Sequence, residues 1–297
     1  MNLVLTVLEI VAPVFALAAI GFAWERAGIE YRVQFVTQLA MTLATPCLIF
    51  TALMQAEVAP EALTAMTLAS VTAHLVMLAI AWLLLKLAGL EMRTFLGPFV
   101  FGNTGNLGLP LALFAFGAEG LSLGIVFFAV SAIFVFTLGL ALVAGQGGWG
   151  KVLREPIVWA TVLGAAFLWN GWETPVFVTN TLELVGQMAI PMMLITLGVA
   201  LARLSARNVR RAVQLALVKL GLGFAVGWGV GLGFGLTGAV FAVLVLQMST
   251  PVPVTTYLLA EKYGRDGGAD AGAVAGLVVV STLISVLALP VILGILL

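Results

Sequence analysis

Gly102-Asn103-Thr104-Gly105-Asn106-Leu107-Gly108-Leu109-Pro110 interrupts an otherwise apolar segment running from about Phe95 to Gly117. A buried span cannot use water to satisfy its backbone, and proline also removes an N–H. A polar, glycine-rich break of this kind therefore persists only where protein or a polar cavity surrounds it. A second break, Ser249-Thr250-Pro251-Val252-Pro253, divides the apolar segment from about Gly238 to Lys262. Each lies at the centre of its span, where paired discontinuous helices bring their ends together at the midplane.

The rest of the chain is built to hold such spans. Of 297 residues, 62% are hydrophobic and 9% charged, against roughly a quarter charged in a soluble domain, so the composition is that of a multispanning membrane protein. The formal net charge is zero and the basic residues are scattered, which argues against a nucleic-acid partner. The single cysteine, Cys47, excludes an internal disulfide and a cysteine metal cluster, and in its apolar run it reads as a small packed hydrophobe. Met1 to Trp24 has no lysine or arginine ahead of its apolar run, so it is expected to be the first span rather than a cleaved signal peptide.

At about 20 residues per crossing, spans are expected near 3–24, 34–54, 63–86, 95–117, 120–144, 156–172, 177–202, 209–233, 238–262 and 272–296. The basic residues test that register. Arg26, Arg32, Lys86, Arg93, Lys151, Arg154, Arg203, Arg207, Arg210, Arg211, Lys262 and Arg265 all follow odd-numbered spans, whereas the even loops hold acids such as Glu57, Glu61, Glu119 and Glu173. This alternation puts the odd loops in the cytoplasm and both termini outside, in the periplasm. Trp24, Trp82, Trp159, Trp169 and Trp172 at span ends fit an interfacial belt, and Trp149 falls in a loop.

A weak internal repeat is in phase with the spans. Ala44-Thr45-Pro46-Cys47-Leu48-Ile49-Phe50-Thr51 aligns with Ala189-Ile190-Pro191-Met192-Met193-Leu194-Ile195-Thr196 at a displacement of 145, keeping alanine, proline and threonine. Trp24 pairs with Trp169 at the same shift, and Trp82 with Trp228 and Gly89 with Gly235 at 146. Five spans per half is an odd number, so the second half must be inverted. The expectation is an all-α polytopic protein of ten transmembrane helices in a 5+5 inverted repeat, residues 1–146 and 156–297, joined by a short cytoplasmic linker at 147–155. Spans four and nine are then equivalent, broken and crossing.

Thr45-Pro46-Cys47-Leu48-Ile49-Phe50, the break from Gly102 to Leu111, the closing Phe116-Gly117, and Met248-Ser249-Thr250-Pro251 leading to Tyr257-Leu258-Leu259-Ala260-Glu261-Lys262-Tyr263-Gly264 together resemble the auxin efflux carrier family. The resemblance covers essentially the whole chain. It implies a two-domain elevator-type carrier of small organic anions in the inner membrane, an exporter of auxin-like acids, malate or malonate, related in fold to the sodium/bile acid symporters. With only about Gln146 to Glu155 between the halves, the chain resembles the compact bacterial form.

If the broken spans cross, each presents a helix N-terminus at the midplane, with a positive partial charge of about half a unit suited to a carboxylate. Pro110 and Pro253 fit the first turn after a break. Asn103, Thr104, Gly105, Asn106, Ser249, Thr250, Pro251 and Thr255 complete the expected binding set. A structural kink with capping side chains is the alternative, and two equivalent breaks weigh against it. His74 and Lys219 lie deep in spans three and eight, again 145 apart. An intramembrane charge needs a reason, and Lys219 has two candidate roles: balancing the C-terminal ends of the first half-helices, or attracting an anion. Snorkelling toward Arg211 is disfavoured by the eight residues between them, about 12 Å of helix. His74 reads more simply as a hydrogen-bonded packing residue than as a proton relay.

No carboxylate sits at a span centre; Glu9 and Glu183 lie toward the ends, and the ninth span reads Gln247-Met248-Ser249-Thr250 where the bile-acid relatives carry an acid. Sodium coupling of the bile acid symporter type is thus the less favoured alternative, and a non-transporting sensor stays open. No cofactor and no metal are expected. Gly223, Gly227, Gly231 and Gly235 share one face of span eight, for a tight contact within the subunit or in a homodimer. Gly145-Gln146-Gly147-Gly148-Trp149-Gly150 matches a dinucleotide fingerprint but follows no strand. An enzyme reading lacks a site: a Ser249–Lys219 hydrolase would leave the paired breaks unexplained, and a channel would want a continuous polar stripe. A cysteine placed at Glu57 is expected to react with an impermeant thiol reagent from outside, and one at Arg207 only from inside. The reverse pattern would overturn the topology.

Overall fold

The structure, a computed structural model, describes residues 3–56, 58–144, 156–204, 208–263 and 269–297. The linker at 147–155 with Lys151 and Arg154, the glycine-rich 145–150 with Trp149, and Glu57, Arg207, Gly264 and Arg265 lie outside the described residues. Among those described there is no strand. The chain forms α1 (Leu3–Arg26), α2 (Val33–Met54), α3 (Pro60–Leu87), α4 (Met92–Val100), α5 (Leu109–Phe134), α6 (Pro156–Asn170), α7 (Val176–Gly186), α8 (Ala189–Arg203), α9 (Val209–Gly233), α10 (Gly238–Met248), α11 (Val254–Tyr263) and α12 (Ala271–Leu296). Among the described residues, seven stretches are long and apolar enough to cross a membrane, Met92–Val143 and Val176–Arg203 among them, and α6 and α10 are shorter apolar helices. The protein is an all-helical polytopic membrane protein.

Proline explains where two of these helices change pitch. Pro46 and Pro110 each occupy the second residue of an α-helical stretch, and each is preceded by a five-residue π turn, Ala40–Ala44 and Thr104–Gly108. A proline ring clashes with the carbonyl four residues back and donates nothing to it. Widening the turn ahead of it relieves that clash without ending the helix. A third π turn, Val135–Gly139, extends α5 without any proline. Within α5, Gly117 takes φ 62 and ψ −150, a left-handed geometry that bends the run between the expected fourth and fifth spans.

Packing sorts the helices into two groups. α1 lies along α8, while the second half of α2 packs on α6 and α7; in the other group α3 contacts α4, α5 and α9, α9 contacts α10 and α12, and α11 contacts α12. Each group draws on both halves of the chain. Lipid tails give no hydrophobic drive for helices to associate, so small residues must let backbones approach. A side chain at Gly21 would strike the Ile195 carbonyl and one at Gly198 the Ala18 carbonyl, which is how α1 and α8 come together. Phe35, Trp169, Phe177 and Leu287 are exposed on the outside, where acyl chains would cover them.

The glycine face of α9 is used inside the subunit. Gly223 abuts the Met248 carbonyl, Gly227 lies against Val245 and Gly231 against Phe241, all on α10. Gly235 departs from the expected stripe: it turns the chain beyond the helix at φ +63, with nothing within 4 Å of its missing side chain. Gly221, also with nothing within 4 Å, faces away. Gly223→Ala is therefore expected to cost roughly 1–3 kcal/mol of stability through overpacking, and Gly221→Ala to be neutral or stabilising by roughly 0.5–1 kcal/mol. Thermal unfolding in detergent separates the two, and equal losses would contradict the α9–α10 contact.

Candidate functional site

α4 stops because the chain turns extended at Phe101 (φ −94, ψ 145). Pro98 lies inside α4, and Gly102 permits a close approach that any side chain would block with the Thr250 hydroxyl. Asn103 follows at φ −76 and ψ 56, and its carbonyl accepts from the N–H groups of Leu107 at 3.2 Å and Gly108 at 3.0 Å. Helical winding thus restarts at Thr104, earlier than expected. Pro110 sits in the second turn rather than the first, and the wide turn before it accommodates its ring.

The second break is closed by its own polar atoms. The Ser249 N–H donates to Val245 and Leu246, and the Ser249 and Thr250 hydroxyls turn back onto the carbonyls of Val245 at 2.7 Å and Gln247 at 2.6 Å. The Val252 N–H donates to Ser281 Oγ of α12 at 3.1 Å. Pro253 stands one residue before α11, and its carbonyl accepts from the Thr256 N–H at 3.1 Å and the Thr256 hydroxyl at 2.7 Å. The two breaks meet directly: the Asn103 N–H donates to the Pro251 carbonyl at 2.7 Å. Proline is suited to the acceptor side of this bond, because its missing N–H leaves no donor to be satisfied.

A cavity of about 80 Å³ opens beside this junction. Of the expected set, Asn103, Thr104, Gly105, Asn106, Pro253 and Thr255 line it, whereas Ser249, Thr250, Pro251 and Pro110 are buried behind the wall. Six further lining residues escaped the sequence reading: Met41 from α2, Ile157 from α6, and Phe128, Ser131, Ala132 and Val135 from α5 and its extension. Met41 and Ile157 belong to the first packing group and the others to the second, so the cavity lies between the two groups. All three π turns contribute to it, through Met41, through Thr104 to Asn106, and through Val135. Ser131, a polar residue in an apolar run, was the one detectable signal among the six.

The chemistry of the wall is that of a hydrogen-bond donor. The N–H groups of Thr104, Gly105 and Asn106 open a helix and lack intrahelical partners. Asn103 Nδ2 is buried with no hydrogen-bond partner, a state that costs about 1–3 kcal/mol unless a ligand or water supplies an acceptor. Behind the wall Gln247, fully buried between Gly108 and Gly124, leaves both ends of its amide unpartnered, and Thr45 its hydroxyl. Among the described residues no cluster of His, Cys, Asp or Glu is arranged to hold a metal ion.

The two intramembrane ionisable groups stand close behind the cavity. Lys219 is buried and donates from Nζ to the Thr250 carbonyl, just past the C-terminus of α10, where a cation offsets the helix dipole. It does not line the cavity. His74 places Nδ1 2.8 Å from the Ser70 carbonyl and Nε2 2.9 Å from Ser131 Oγ, with its ring stacked 5.1 Å from Phe134. It is a hydrogen-bonded packing residue, and one of its partners is a cavity residue.

Comparison with known proteins gives these observations a family. A family profile described as membrane transport protein matches residues 6–293. An uncharacterized transporter of Methanothermobacter thermautotrophicus (strain Delta H) is 27% identical over 266 residues, covering 85% of this chain and 87% of that protein. The chain belongs to the membrane transport protein family, the auxin efflux carrier family that its motifs resemble.

Proposed function

We propose that this member of the membrane transport protein family is a secondary carrier of small organic anions that binds its cargo in the cavity beside the Asn103–Pro251 junction. The observation that carries the reading is the buried, unpartnered Nδ2 donor of Asn103, set next to the open helix N-terminus at Thr104 to Asn106. A carboxylate satisfies both with charge-assisted hydrogen bonds. The cavity is small against the roughly 300–1,000 Å³ of drug-sized sites, which favours an acid of malonate or malate size over an indole acid. The architecture that suits this role is ten crossings as two inverted five-helix halves, 1–146 and 156–297, with both termini periplasmic in the inner membrane. The group of α1, α2, α6, α7 and α8 is the stationary scaffold, and the remaining helices carry the site past it as an elevator, in the direction of export. A cavity whose walls come from both groups is what such relative movement requires.

Lys219 holds the second break in place through Thr250 and is expected to matter for every substrate, by positioning rather than by contact. In liposomes the purified protein is expected to move malonate or malate saturably and to ignore choline. Asn103→Ala should weaken binding about tenfold or more, the loss of one hydrogen bond to a charged group. Lys219→Met should fold yet lose most transport, and sodium should change neither rate. Preference for cations, steep sodium dependence, or full transport by Lys219→Met would contradict the reading.

A further inference from the structure

A carbonyl oxygen only accepts, so the Ser70 carbonyl fixes the proton of neutral His74 on Nδ1. Nε2 is then the acceptor, and the Ser131 hydroxyl must donate to it across 2.9 Å. With its proton committed inward, Ser131 shows the cavity only lone pairs, which repel a carboxylate. When a proton from water occupies Nε2, the bond reverses: Nε2–H donates to Ser131 Oγ, and the hydroxyl proton is released to donate into the cavity. We infer that Ser131 is a substrate-contacting residue whose polarity is set by His74, so that one proton is taken up with each carboxylate bound.

The inference deepens the carboxylate reading and rests on it. The ring is shielded by Phe127 and Phe134, each 5.1 Å away, and His74 is 1% exposed, which leaves Ser131 as its route to the cavity. Among the described residues on helices packed against α3, the charged side chain that acts on His74 is Lys219 of α9, a like charge to the protonated ring that the incoming anion must offset. Lys219 is held on the Thr250 carbonyl, so its position is fixed while that of the hydroxyl proton is not. Proton and anion offset one another in the bound state: the carboxylate group that meets Ser131 brings one negative charge, and one positive charge appears on the imidazole behind it. Because binding linkage is reciprocal, the bound carboxylate in turn favours the protonated ring.

The test is calorimetric titration of the full chain in detergent with malonate at pH 7.5, repeated in buffers of different ionisation enthalpy. The wild type is expected to take up close to one proton per malonate bound, with affinity falling about tenfold per pH unit, the slope of one linked proton. Ser131→Ala and His74→Gln should still bind malonate, with no proton uptake and a flat pH profile; His74→Gln retains an amide that can donate to Ser131. Malonate binding by the wild type without proton uptake overturns this inference and leaves the carboxylate site standing, as does proton uptake unchanged in both variants. Failure of malonate and every other carboxylate to bind the wild type overturns the site itself and this inference with it.

Discussion

The hydrogen bond from the Asn103 N–H to the Pro251 carbonyl closes one interrupted segment on the other, and the rest of the structure is arranged around making that closure tolerable. Inside a membrane no water is available to a stray backbone donor, and each one left open costs several kcal/mol. Two interruptions that satisfy one another are far cheaper than two apart. The close approach needs Gly102, because a side chain there would displace the Thr250 hydroxyl. The second break in turn needs Lys219 on the Thr250 carbonyl and Ser281 under the Val252 N–H. Among the described residues, the buried side-chain atoms left open after these bonds are made are Asn103 Nδ2, the Gln247 amide and the Thr45 hydroxyl, and the first N–H groups of the helix after Asn103 join them. Of these, Asn103 and the helix start face the cavity.

The breaks were legible because proline and glycine are costly in an apolar run, and that cost shows without any knowledge of neighbours. The helix segments were legible for the same kind of reason: hydropathy and turn residues set ends such as Leu3–Arg26 and Gly238–Met248 within a few positions. The restart at Thr104 was not, since a π turn leaves no residue signature and only its consequence, a tolerated Pro110, stands in the sequence. The glycine stripe on α9 was visible as a close-packing face, but which helix it met, and that Gly235 belongs to a turn, depended on the fold.

The cavity wall was half legible. Asn103 to Asn106, Pro253 and Thr255 announced themselves as polar or helix-breaking groups at span centres, while Met41, Phe128, Ala132, Val135 and Ile157 are apolar residues among many and are selected only by tertiary packing. Ser249 and Thr250 carry hydroxyls at a span centre, and the structure commits both to the carbonyls of Val245 and Gln247. A short hydroxyl side chain at a helix end readily turns back on its own backbone. His74 and Lys219 stand out in the sequence as ionisable residues in apolar runs 145 apart, and what distinguishes them in the structure is their partners: His74 reaches a cavity serine and Lys219 a helix end.

Whether the junction of the two breaks is where cargo binds is tested most directly by ligand protection of Asn106→Cys in a chain whose Cys47 has been replaced by alanine. Asn106 is half-buried on the cavity wall, so its thiol reports occupancy of that space. Malonate is expected to slow alkylation saturably, and choline at the same concentration to leave the rate unchanged. An alkylation rate indifferent to malonate at concentrations that saturate binding, or protection by choline equal to that by malonate, would place the carboxylate elsewhere and contradict the central claim.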